Sequence, residues 1–421
     1  MLSQRKLTIS FGVFIFLISV ACVGPNNLIS QSATSKGEQS IVWESEPRLV
    51  GEGSGLQLML RTSEGMNFVY AAPGEEGGQD LLYVTSHNVG DTFKTKYKIN
   101  TTPGEVSSHG ENEPRILAGT GIGMFAGWQG GRDFKFARSM NFGRSFTPAI
   151  TINDDEGGKA SHSFQTMEVG PDGTIYAAWL DSRNRKTDPP GTQSLYLARS
   201  VNRGASFEKN IKITSGVCPC CRPSIAFGDS GKVFITWRQV FEGDNRIVVV
   251  ATSENKGQTW SAPVRVTQEG WRINGCPHSG PSMKYVNGKL FVVWYTGADN
   301  KPSLRAGRSS DDGKSFEFLG EVQGRVHDAN HPNVKIINDK AWVIFQGRDP
   351  GSKDEWAKVS PWVISITSEG RFSSPVQLPS LGDSVSYPSI FPGTGGRVYA
   401  TWTELAENGP KTVLCRGRLH N

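Results

Sequence analysis

Short apolar runs recur along most of the chain, and polar turns rich in Gly, Asn, Asp and Ser separate them. The clearest set consists of residues 223–227, 232–237 and 247–252, which precede Ser253. Runs of this length that are rich in β-branched and aromatic residues and bounded by turn residues predict β-strands. Three runs followed by a polar turn and one more short run describe a four-stranded antiparallel sheet. The pattern therefore predicts an all-β chain.

One polar turn is repeated with the pattern Ser-x-Asn/Asp-x-Gly-x-Ser/Thr-aromatic. Its Asn or Asp side chain can bond nearby backbone N–H groups and its Gly allows a positive φ, so we interpret the turn as a folding device without a catalytic role. Successive copies are 53 to 61 residues apart, a period typical of a propeller or a solenoid. The five clear copies begin at Ser86, Ser139, Ser200, Ser253 and Ser309, and a degenerate copy surrounds Gly370.

The repeat count predicts the number of sheets. Seven pairs of first and second strands can be counted, beginning near residues 56, 115, 164, 223, 281, 332 and 388. The last unit is one strand short, and residues 41–43 could supply the missing strand. Pairing of the two ends would remove exposed sheet edges. We therefore expect one β-propeller domain over residues 41–421 with blades of four antiparallel strands, seven blades being favoured and six being the alternative.

The first residues predict export. Basic Arg5 and Lys6 precede an apolar stretch over residues 7–21, which is short for a membrane span and typical of a signal peptide. Small residues lead to Cys22, as in a bacterial lipobox whose Cys becomes acylated. We expect a signal peptide over residues 1–21, a polar tether over residues 22–40, and a lipoprotein of the bacterial cell envelope, periplasmic or on the cell surface. Plain secretion and a retained anchor are the alternatives.

Charge and composition narrow the range of partners. The 45 basic and 40 acidic residues give a net charge of +5, and the basic residues are scattered rather than clustered. A scattered distribution does not favour nucleic-acid binding. We expect no nucleic-acid partner, membrane contact only through a lipid on Cys22, and a monomer.

The repeated turns and the strand pattern resemble the sialidase (neuraminidase) superfamily, whose Asp-box turns have the same form, over about residues 41–421. The resemblance implies exo-sialidase type glycoside hydrolysis, or glycan binding, with a sialylated or other acidic glycan as partner. It implies a Tyr nucleophile with an acidic partner, an Asp acid/base and arginines that hold the carboxylate of the sugar. The catalytic candidates are Tyr387, Glu404 and Asp133, and the substrate-binding candidates are Arg115, Arg132, Arg222, Arg305 and Arg348. From the residues alone, Arg115 and Arg222 could equally be paired charges at strand entrances, and Tyr387 could be a plug of the central channel.

A second set of residues lies just before the first strands of the units, where five of the seven histidines and four of the six cysteines occur. In a propeller these segments converge at one rim of the central channel, so residues distant in sequence become neighbours. The combination is similar to that of exported bacterial proteins described as sialidase-like. The candidates are Cys218, Cys220, Cys221, Cys276, His109, His162, His278 and His331.

Two states are open for these cysteines. In an exported protein, Cys276 could form a disulfide with Cys218, Cys220 or Cys221. Thiolates and imidazoles from adjacent blades could instead bind copper or zinc. Each histidine alone is more simply a hydrogen-bonded structural residue, and Cys415 a buried thiol. Two hypotheses follow: a glycan-processing or glycan-binding propeller, and a non-hydrolytic propeller whose Cys/His rim binds a metal or a protein partner.

Overall fold

The computed structural model describes residues 39–60, 65–155, 158–273, 275–352 and 357–420. The predicted signal peptide, Cys22 and all but the last two residues of the predicted tether lie outside these ranges. Within them, the regular secondary structure consists of β-strands and three short 3-10 helices, Asp229–Gly231, Glu242–Asp244 and Ala298–Asn300. The predicted all-β class is confirmed.

None of the helices in the described part of the chain has the length and hydrophobicity that crossing a membrane requires.

Antiparallel sheets follow one another along the chain, and strands that are consecutive in sequence lie side by side within each sheet. This order allows short connections between neighbouring strands. Two strands come before the first repeated unit, β1 (Ser40–Trp43) and β2 (Arg48–Glu52). The first three units comprise β3 (Ser54–Leu60), β4 (Met66–Pro73), β5 (Gln79–Ser86) and β6 (Lys94–Lys98); β7 (Arg115–Ala118), β8 (Met124–Gly130), β9 (Asp133–Ser139) and β10 (Ile150–Thr151); β11 (His162–Val169), β12 (Ile175–Asp181), β13 (Gln193–Ser200) and β14 (Ile211–Val217).

The remaining units repeat the same order. A single bridge between Val217 and Gln239 joins units three and four into one larger sheet. Units four to seven comprise β15 (Ser224–Phe227), β16 (Val233–Phe241), β17 (Asn245–Ser253) and β18 (Val264–Arg265); β19 (Ser282–Val286), β20 (Lys289–Thr296), β21 (Ser303–Ser309) and β22 (Glu317–Glu321); β23 (His327–Ile337), β24 (Lys340–Arg348), β25 (Val359–Ile366) and β26 (Val376–Gln377); and β27 (Ser384–Pro392), β28 (Arg397–Ala406) and β29 (Gly409–His420).

The N-terminal strands complete unit seven. The expected pairing of residues 41–43 with the last strand is present, because Ile41 lies opposite Leu419 on β29. The segment around Thr412 pairs mainly with β2, where Leu49 lies opposite Val413, so two N-terminal strands rather than one cover β29.

Tryptophans on the second strands fill the space between neighbouring units. Trp128, Trp179, Trp237, Trp294 and Trp402 lie on β8, β12, β16, β20 and β28, and each is at most 1% exposed. Each belongs to a hydrophobic cluster that includes side chains of the preceding unit, as Trp179 does with Phe134 and Phe136. Buried aromatic side chains contribute large hydrophobic terms, so these tryptophans hold each sheet against its neighbour.

The five repeated turns connect the third and fourth strands of units one to five, and they share one set of hydrogen bonds. In the copy that begins at Ser139, the Gly143 N–H donates to Ser139 Oγ at 2.9 Å and the Ser145 N–H donates to Asn141 Oδ1 at 3.0 Å. Phe142 and Gly143 both have positive φ, 60° and 73°. The turn is therefore closed by its own side chains, as its sequence predicts.

The turn glycines also contact the preceding unit. A Cβ atom on Gly143 would overlap the Tyr83 hydroxyl of unit one, and one on Gly204 would overlap the Phe136 ring of unit two. The turn of unit one makes the equivalent contact with unit seven, since a Cβ on Gly90 would overlap Leu414. The Gly55 N–H also donates to Thr403 Oγ1 across this junction, at 3.3 Å. The first and last units are therefore in contact.

Replacing Gly143 with Val should lower the free energy of unfolding by roughly 3 kcal/mol or more, because it adds backbone strain and a clash with Tyr83. Gly131 is the matched control: it also has a positive φ, 61°, but a Cβ there would have no atom within 4 Å. Gly131→Val should cost only the backbone strain. Denaturant unfolding of both variants would measure the difference, and equal losses would contradict the role given to the contact between units.

Candidate functional site

In each of the seven units, one residue occupies the same position, either just before the first strand or at an interruption within it. We call these seven equivalent residues the entry ring. The strand is bulged there in units one, three, six and seven. Bulges redirect side chains and interrupt the ladder. At three of the bulges a residue with a side chain has a positive φ, 53° for Phe164, 50° for His331 and 53° for Tyr387. The entry ring comprises Gly55, Glu113, Phe164, Arg222, Gly280, His331 and Tyr387.

Side chains accept the hydrogen bonds of the backbone N–H groups of this ring. The Tyr387 N–H donates to Gln346 Oε1 at 2.8 Å, and the Phe164 N–H donates to Asn112 Oδ1 at 2.6 Å. Gln346 belongs to the preceding unit, and Asn112 belongs to the loop that leads into the preceding unit. The ring therefore links different units through side-chain hydrogen bonds.

Glu111 is the acceptor shared by three members of the ring. Its carboxylate accepts the Gly280 N–H at 2.8 and 2.9 Å and the Arg222 N–H at 3.0 Å, and it lies 3.3 Å from His331 Nδ1. The residue is only 4% exposed. Burial alone would raise the pKa of Glu111, but the hydrogen bond and charge of His331 and the charge of Arg222 lower it below its usual value. Glu111 is thus an ionised hub between units four, five and six.

Glu113 lies beside this hub, but its pKa is shifted in the opposite direction to that of Glu111. Its carboxylate accepts hydrogen bonds of 3.2 Å from Arg222 Nη1 and from Gln57 Nε2, and Arg115 Nη1 is 4.0 Å away. Burial and the charge of Glu111 outweigh Arg222 and raise the pKa of Glu113 to about 7. A proton can therefore reside on Glu113 near neutral pH.

Tyr387 packs against the same group. Its ring centroid is 4.4 Å from that of His331, and a Cβ on Gly110 would lie 3.3 Å from its hydroxyl oxygen. Burial, together with the charges of Glu111 and Glu113, raises the pKa of Tyr387 to about 12. The tyrosine is neutral at physiological pH and is covered by the loop that carries Glu111.

A cavity of about 280 Å³ lies along the first strands next to the hub. Arg115 and Arg222 line it together with Lys284, Lys335 and Glu168. Lys284 Nζ is 2.7 Å from Glu168 Oε1, whereas no described carboxylate lies within ion-pair distance of Lys335. Burial and the neighbouring charges of Lys284 and Arg222 lower the pKa of Lys335 to about 8, although Glu168 opposes the shift. Four cations thus line the cavity.

The other walls of the cavity are hydroxyl, amide and apolar groups. Their arrangement follows the strand alternation, because side chains two residues apart on one strand point to the same side. The lining includes Gln57, Thr166, Ser224, Ser282, Asn333, Met59, Leu117 and Phe391. The cavity therefore combines positive charge with hydrogen-bonding groups and an apolar surface.

Four cysteines and a histidine meet beside the entry ring. Cys218 Sγ lies 3.5 Å from Cys221 Sγ and 3.8 Å from Cys220 Sγ, and these three sulfurs are within 4.8 Å of one another. Cys220 also belongs to a second group, with Cys276 and His278, that meets the same limit. The expected proximity of these cysteines is therefore present. Of the two states left open, the structure has the reduced one, in which all five described cysteines are free thiols.

Electrostatics distinguish the three buried thiols. Hydrogen bonds from Cys220 and Cys221 lower the pKa of Cys218, and Arg238 and Arg246 act in the same direction. Arg246 Nη1 donates to Cys218 Sγ at 3.1 Å. Cys218 is thus the thiol most readily ionised, and the remaining two hold protons that a bound metal ion could displace.

The predicted histidines separate into three environments. His109 is close enough to His278 for its pKa to be lowered, first by burial and then by that neighbour. His331 belongs to the Glu111 hub. His162 lies apart, with Nε2 2.9 Å from Asp155 and Nδ1 2.8 Å from the Arg132 carbonyl. The expectation that all four share one rim surface was wrong for His162, which unit three buries among aspartates.

Glu404 does not contact Tyr387. Its carboxylate accepts hydrogen bonds from the Leu381 N–H at 2.7 Å and from Trp402 Nε1 at 3.0 Å. Trp179 makes the equivalent bond to Asp181 two residues on, at 2.8 Å. Glu404 therefore has a repeated structural role, and the carboxylates whose charges act on Tyr387 are Glu111 and Glu113, from the loop before unit two.

Four more predicted residues lie outside the cavity. Asp133 pairs with Lys135 at 3.0 Å, and Arg132 donates to the Lys159 carbonyl at 3.1 Å. Arg305 is bound to Glu269, and Arg348 Nε is 3.4 Å from Asp328. Of the five predicted arginines, only Arg115 and Arg222 line the cavity. The sialidase resemblance supplied the residue types, and no motif fixed the other positions.

Five residues important to the site were missed by sequence reasoning: Glu111, Glu113, Glu168, Lys284 and Lys335. A signal for the lysines exists, because each follows the proline of its first strand by three residues, Pro281 and Pro332. Aligning the first strands of all units would have placed both lysines and Glu168 on one face.

No protein-family model matches this chain, and neither does any curated protein. Among solved structures, the BP39L lectin of Burkholderia pseudomallei is 13% identical with a TM-score of 0.59, over 86% of this chain and 95% of the lectin. A polysaccharide lyase, an ulvan lyase bound to GlcA(1-4)Rha3S, is 11% identical with a TM-score of 0.58, over 88% of this chain and 95% of the lyase.

The sialidase of Trypanosoma rangeli is less similar in structure. It is 14% identical with a TM-score of 0.49, over 77% of this chain and 56% of the sialidase. At such identities the likeness to solved structures shows a shared fold and leaves the function to be argued from the site.

Glu113→Gln should remove part of the pH dependence of stability. A raised pKa in the folded state means that Glu113 adds stability at low pH, which is lost as the pH rises from about 4.5 towards 7. The difference in unfolding free energy between wild type and variant should therefore change by about 1–3 kcal/mol across this window.

Glu111→Gln is the matched control for that titration. The pKa of Glu111 is lowered, so its ionised form stabilises the fold above its unfolded pKa, and the variant should be less stable than wild type at pH 7. Chemical unfolding at several pH values tests both. A Glu113→Gln curve parallel to that of wild type would contradict the assignment.

Proposed function

We propose that the seven units form a closed seven-bladed β-propeller, exported as a lipoprotein, whose central cavity binds an acidic sugar residue. The contact of the Gly90 turn with Leu414 repeats the contact made between the other neighbouring units, which supports a closed ring. The hydrogen bond from Thr401 Oγ1 to the Leu56 carbonyl, at 3.3 Å, supports the same closure. Six blades would leave one of the seven repeated strand groups outside the ring.

The main support for this proposal is that cationic side chains outnumber carboxylates in the lining of the cavity. Among the described residues, Arg115, Arg222, Lys284 and Lys335 line the cavity with two carboxylates, Glu168 and the fully engaged Glu111, and Glu113 pairs with Arg222 beside it. A cation that has no carboxylate partner is stabilised when an anion enters, because the anion replaces the solvation that burial removed. Lys335 is such a cation. An anionic ligand beside it would raise its lowered pKa and so favour the charged form.

A sugar acid suits the rest of the lining better than a simple inorganic anion. The apolar side chains of Met59, Leu117 and Phe391 can pack against the C–H face of a sugar ring, while Ser, Thr and Asn side chains can bond its hydroxyls. The size of the cavity suits one sugar residue at the end of a glycan. The fold likeness to a lectin and to an ulvan lyase agrees with a glycan ligand without identifying it.

The site favours binding over sialidase-type hydrolysis. A Tyr nucleophile needs a base that takes its proton, and the carboxylate of Glu111 is already engaged by Gly280, Arg222 and His331. The high pKa of Tyr387 and the cover provided by Gly110 also act against attack on a sugar. Glycan processing by Tyr387 is therefore the less favoured form of the proposal.

Lys335→Met should weaken binding of glucuronic acid or N-acetylneuraminic acid by roughly tenfold or more, because it removes one charge-assisted contact of about 1.5–3 kcal/mol. The same change should raise the melting temperature, since it replaces a partly buried cation that has no described carboxylate partner with an apolar side chain. Calorimetric titration and thermal unfolding measure the two effects.

The matched control is Lys301→Met, which changes a lysine whose side chain is 67% exposed and paired with Glu321. It should leave both quantities unchanged. Equal affinity of wild type for glucose and glucuronic acid, or unaltered binding by Lys335→Met, would refute an acidic sugar in this cavity.

Purified protein should release no fluorophore from 4-methylumbelliferyl sialoside, because Tyr387 lacks a free base. Release that is lost in Tyr387→Phe while the melting temperature is kept would reverse the preference and establish the hydrolytic form. A commercial sialidase under the same conditions is the positive control.

A further inference from the structure

We propose that Cys218, Cys220 and Cys221 form a buried binding site for one monovalent copper ion, and that Cys276 and His278 form its solvent-facing entry position. This site is separate from the sugar cavity. It rests on the two groups of potential ligands, one buried and one largely exposed, that share Cys220.

The sulfur positions fit a metal ion without rearrangement of the backbone. Metal–sulfur bonds of about 2.3 Å place neighbouring thiolates roughly 3.7–4.0 Å apart in trigonal or tetrahedral geometry. The observed separations from Cys218 Sγ are 3.5 and 3.8 Å. The three residues are at most 4% exposed, so the metal would be shielded from water.

The number of ligands favours copper(I) over zinc. Among the described residues, no fourth Cys, His, Asp or Glu joins the group of three within 4.8 Å. Structural zinc sites are almost always four-coordinate, whereas soft thiolate ligands select Cu(I). A three-sulfur site therefore matches a soft ion that accepts three ligands.

The surrounding charge also favours a monovalent ion. Arg246 contacts Cys218 Sγ at 3.1 Å, and the buried Arg238, held by the Ser279 and Tyr295 carbonyls, is close enough to act on the same sulfur. Three thiolates and two guanidinium groups leave one negative charge. Cu(I) neutralises that charge, whereas Zn(II) would leave a positive charge in a buried site, which is costly.

The backbone holds the ligands in place before metal arrives. The Cys218 N–H donates to the Arg238 carbonyl at 2.9 Å. The Arg222 N–H, directly after Cys221, is bound to Glu111. His278 has a φ of 50° and precedes Gly280, whose N–H is bound to the same carboxylate. Both ligand segments are therefore fixed by the Glu111 hub.

Copper binding requires no oxidant or reductant. Copper enters as Cu(I) and stays Cu(I), so no electron is transferred. Each thiol that becomes a ligand forms one sulfur–copper bond and releases one proton to solvent. Transfer from Cys276 and His278 to the inner group needs only exchange of ligands around the ion, with Cys220 bound throughout.

The test is an anaerobic titration of the reduced protein with Cu(I) supplied as its bicinchoninate complex, with Zn(II) in a parallel arm. We expect one copper per chain to remain after desalting, and X-ray absorption of this sample to show sulfur ligands only. Retention of zinc but not copper would overturn the proposal. So would the absence of bound metal after full reduction, with Cys276 recovered in a disulfide from protein that had not been reduced.

Variants separate the two groups. Cys221→Ser should weaken copper binding by more than about 100-fold, because loss of a ligand should cost more than the 10–100-fold typical of a residue that only hydrogen-bonds to a ligand. The double change Cys276→Ser with His278→Ala, at exposed positions, should slow loading and leave the amount bound at equilibrium unchanged. Cys415→Ser changes a buried thiol outside both groups and should alter neither.

Loss of copper at equilibrium in the double variant would overturn the division into inner and entry groups. If Cys221→Ser fails to fold, Arg246→Gln serves instead, because it removes the charge at Cys218 and should weaken copper binding without removing a ligand. Lys335→Met should bind copper as wild type does, which separates this proposal from that of the sugar cavity.

Discussion

The buried carboxylate of Glu111 is the interaction on which the centre of this molecule depends. Its oxygens accept hydrogen bonds from Arg222 and Gly280 and lie beside His331, so one residue of the loop before unit two links three distant units. An ionised carboxylate in such a place requires full compensation by donors. The N–H groups of Arg222 and Gly280 are available because both residues precede their strands, β15 and β19, and so lie outside the sheet ladder. The hub and the irregular entry ring therefore depend on each other.

This dependence explains why strained backbone persists in the ring. Phe164, His331 and Tyr387 have positive φ, which costs energy for residues with a side chain. In return, the rings of Tyr387 and His331 pack against each other, and their N–H groups reach acceptors outside their own units. The strain is distributed over several units, so no single sheet carries it alone. The same device positions the side chains that line the cavity.

The parts of the structure that repeat could be predicted from the sequence. The Ser139–Gly143 type of turn, the four-strand unit and the pairing of Ile41 near the C-terminus follow from local patterns, because turn chemistry and strand alternation act over a few residues. The site depends on which repeated positions are occupied by unusual residues. Glu404 resembled a catalytic acid, yet its position in the repeat makes it the acceptor of Trp402, and only three-dimensional contacts distinguish the two roles. Glu111 was missed because its partners are more than 100 residues away.

The two proposed sites share a framework that restricts how either can vary. Arg222 follows Cys221 directly, so the segment that positions a buried thiol also supplies one donor to Glu111 and one cation to the cavity. Gly280 has the same double position after His278. A Cβ at Gly280 would lie 3.0 Å from Glu111 and would overlap the Arg222 backbone, so this approach is possible only for glycine. Both segments are therefore positioned by hydrogen bonds to the same carboxylate, and a substitution that moves either one would remove a donor from Glu111. The close contact at Gly280 therefore places the thiol group and the cavity beside the same carboxylate, while each proposed ligand is bound by its own set of side chains.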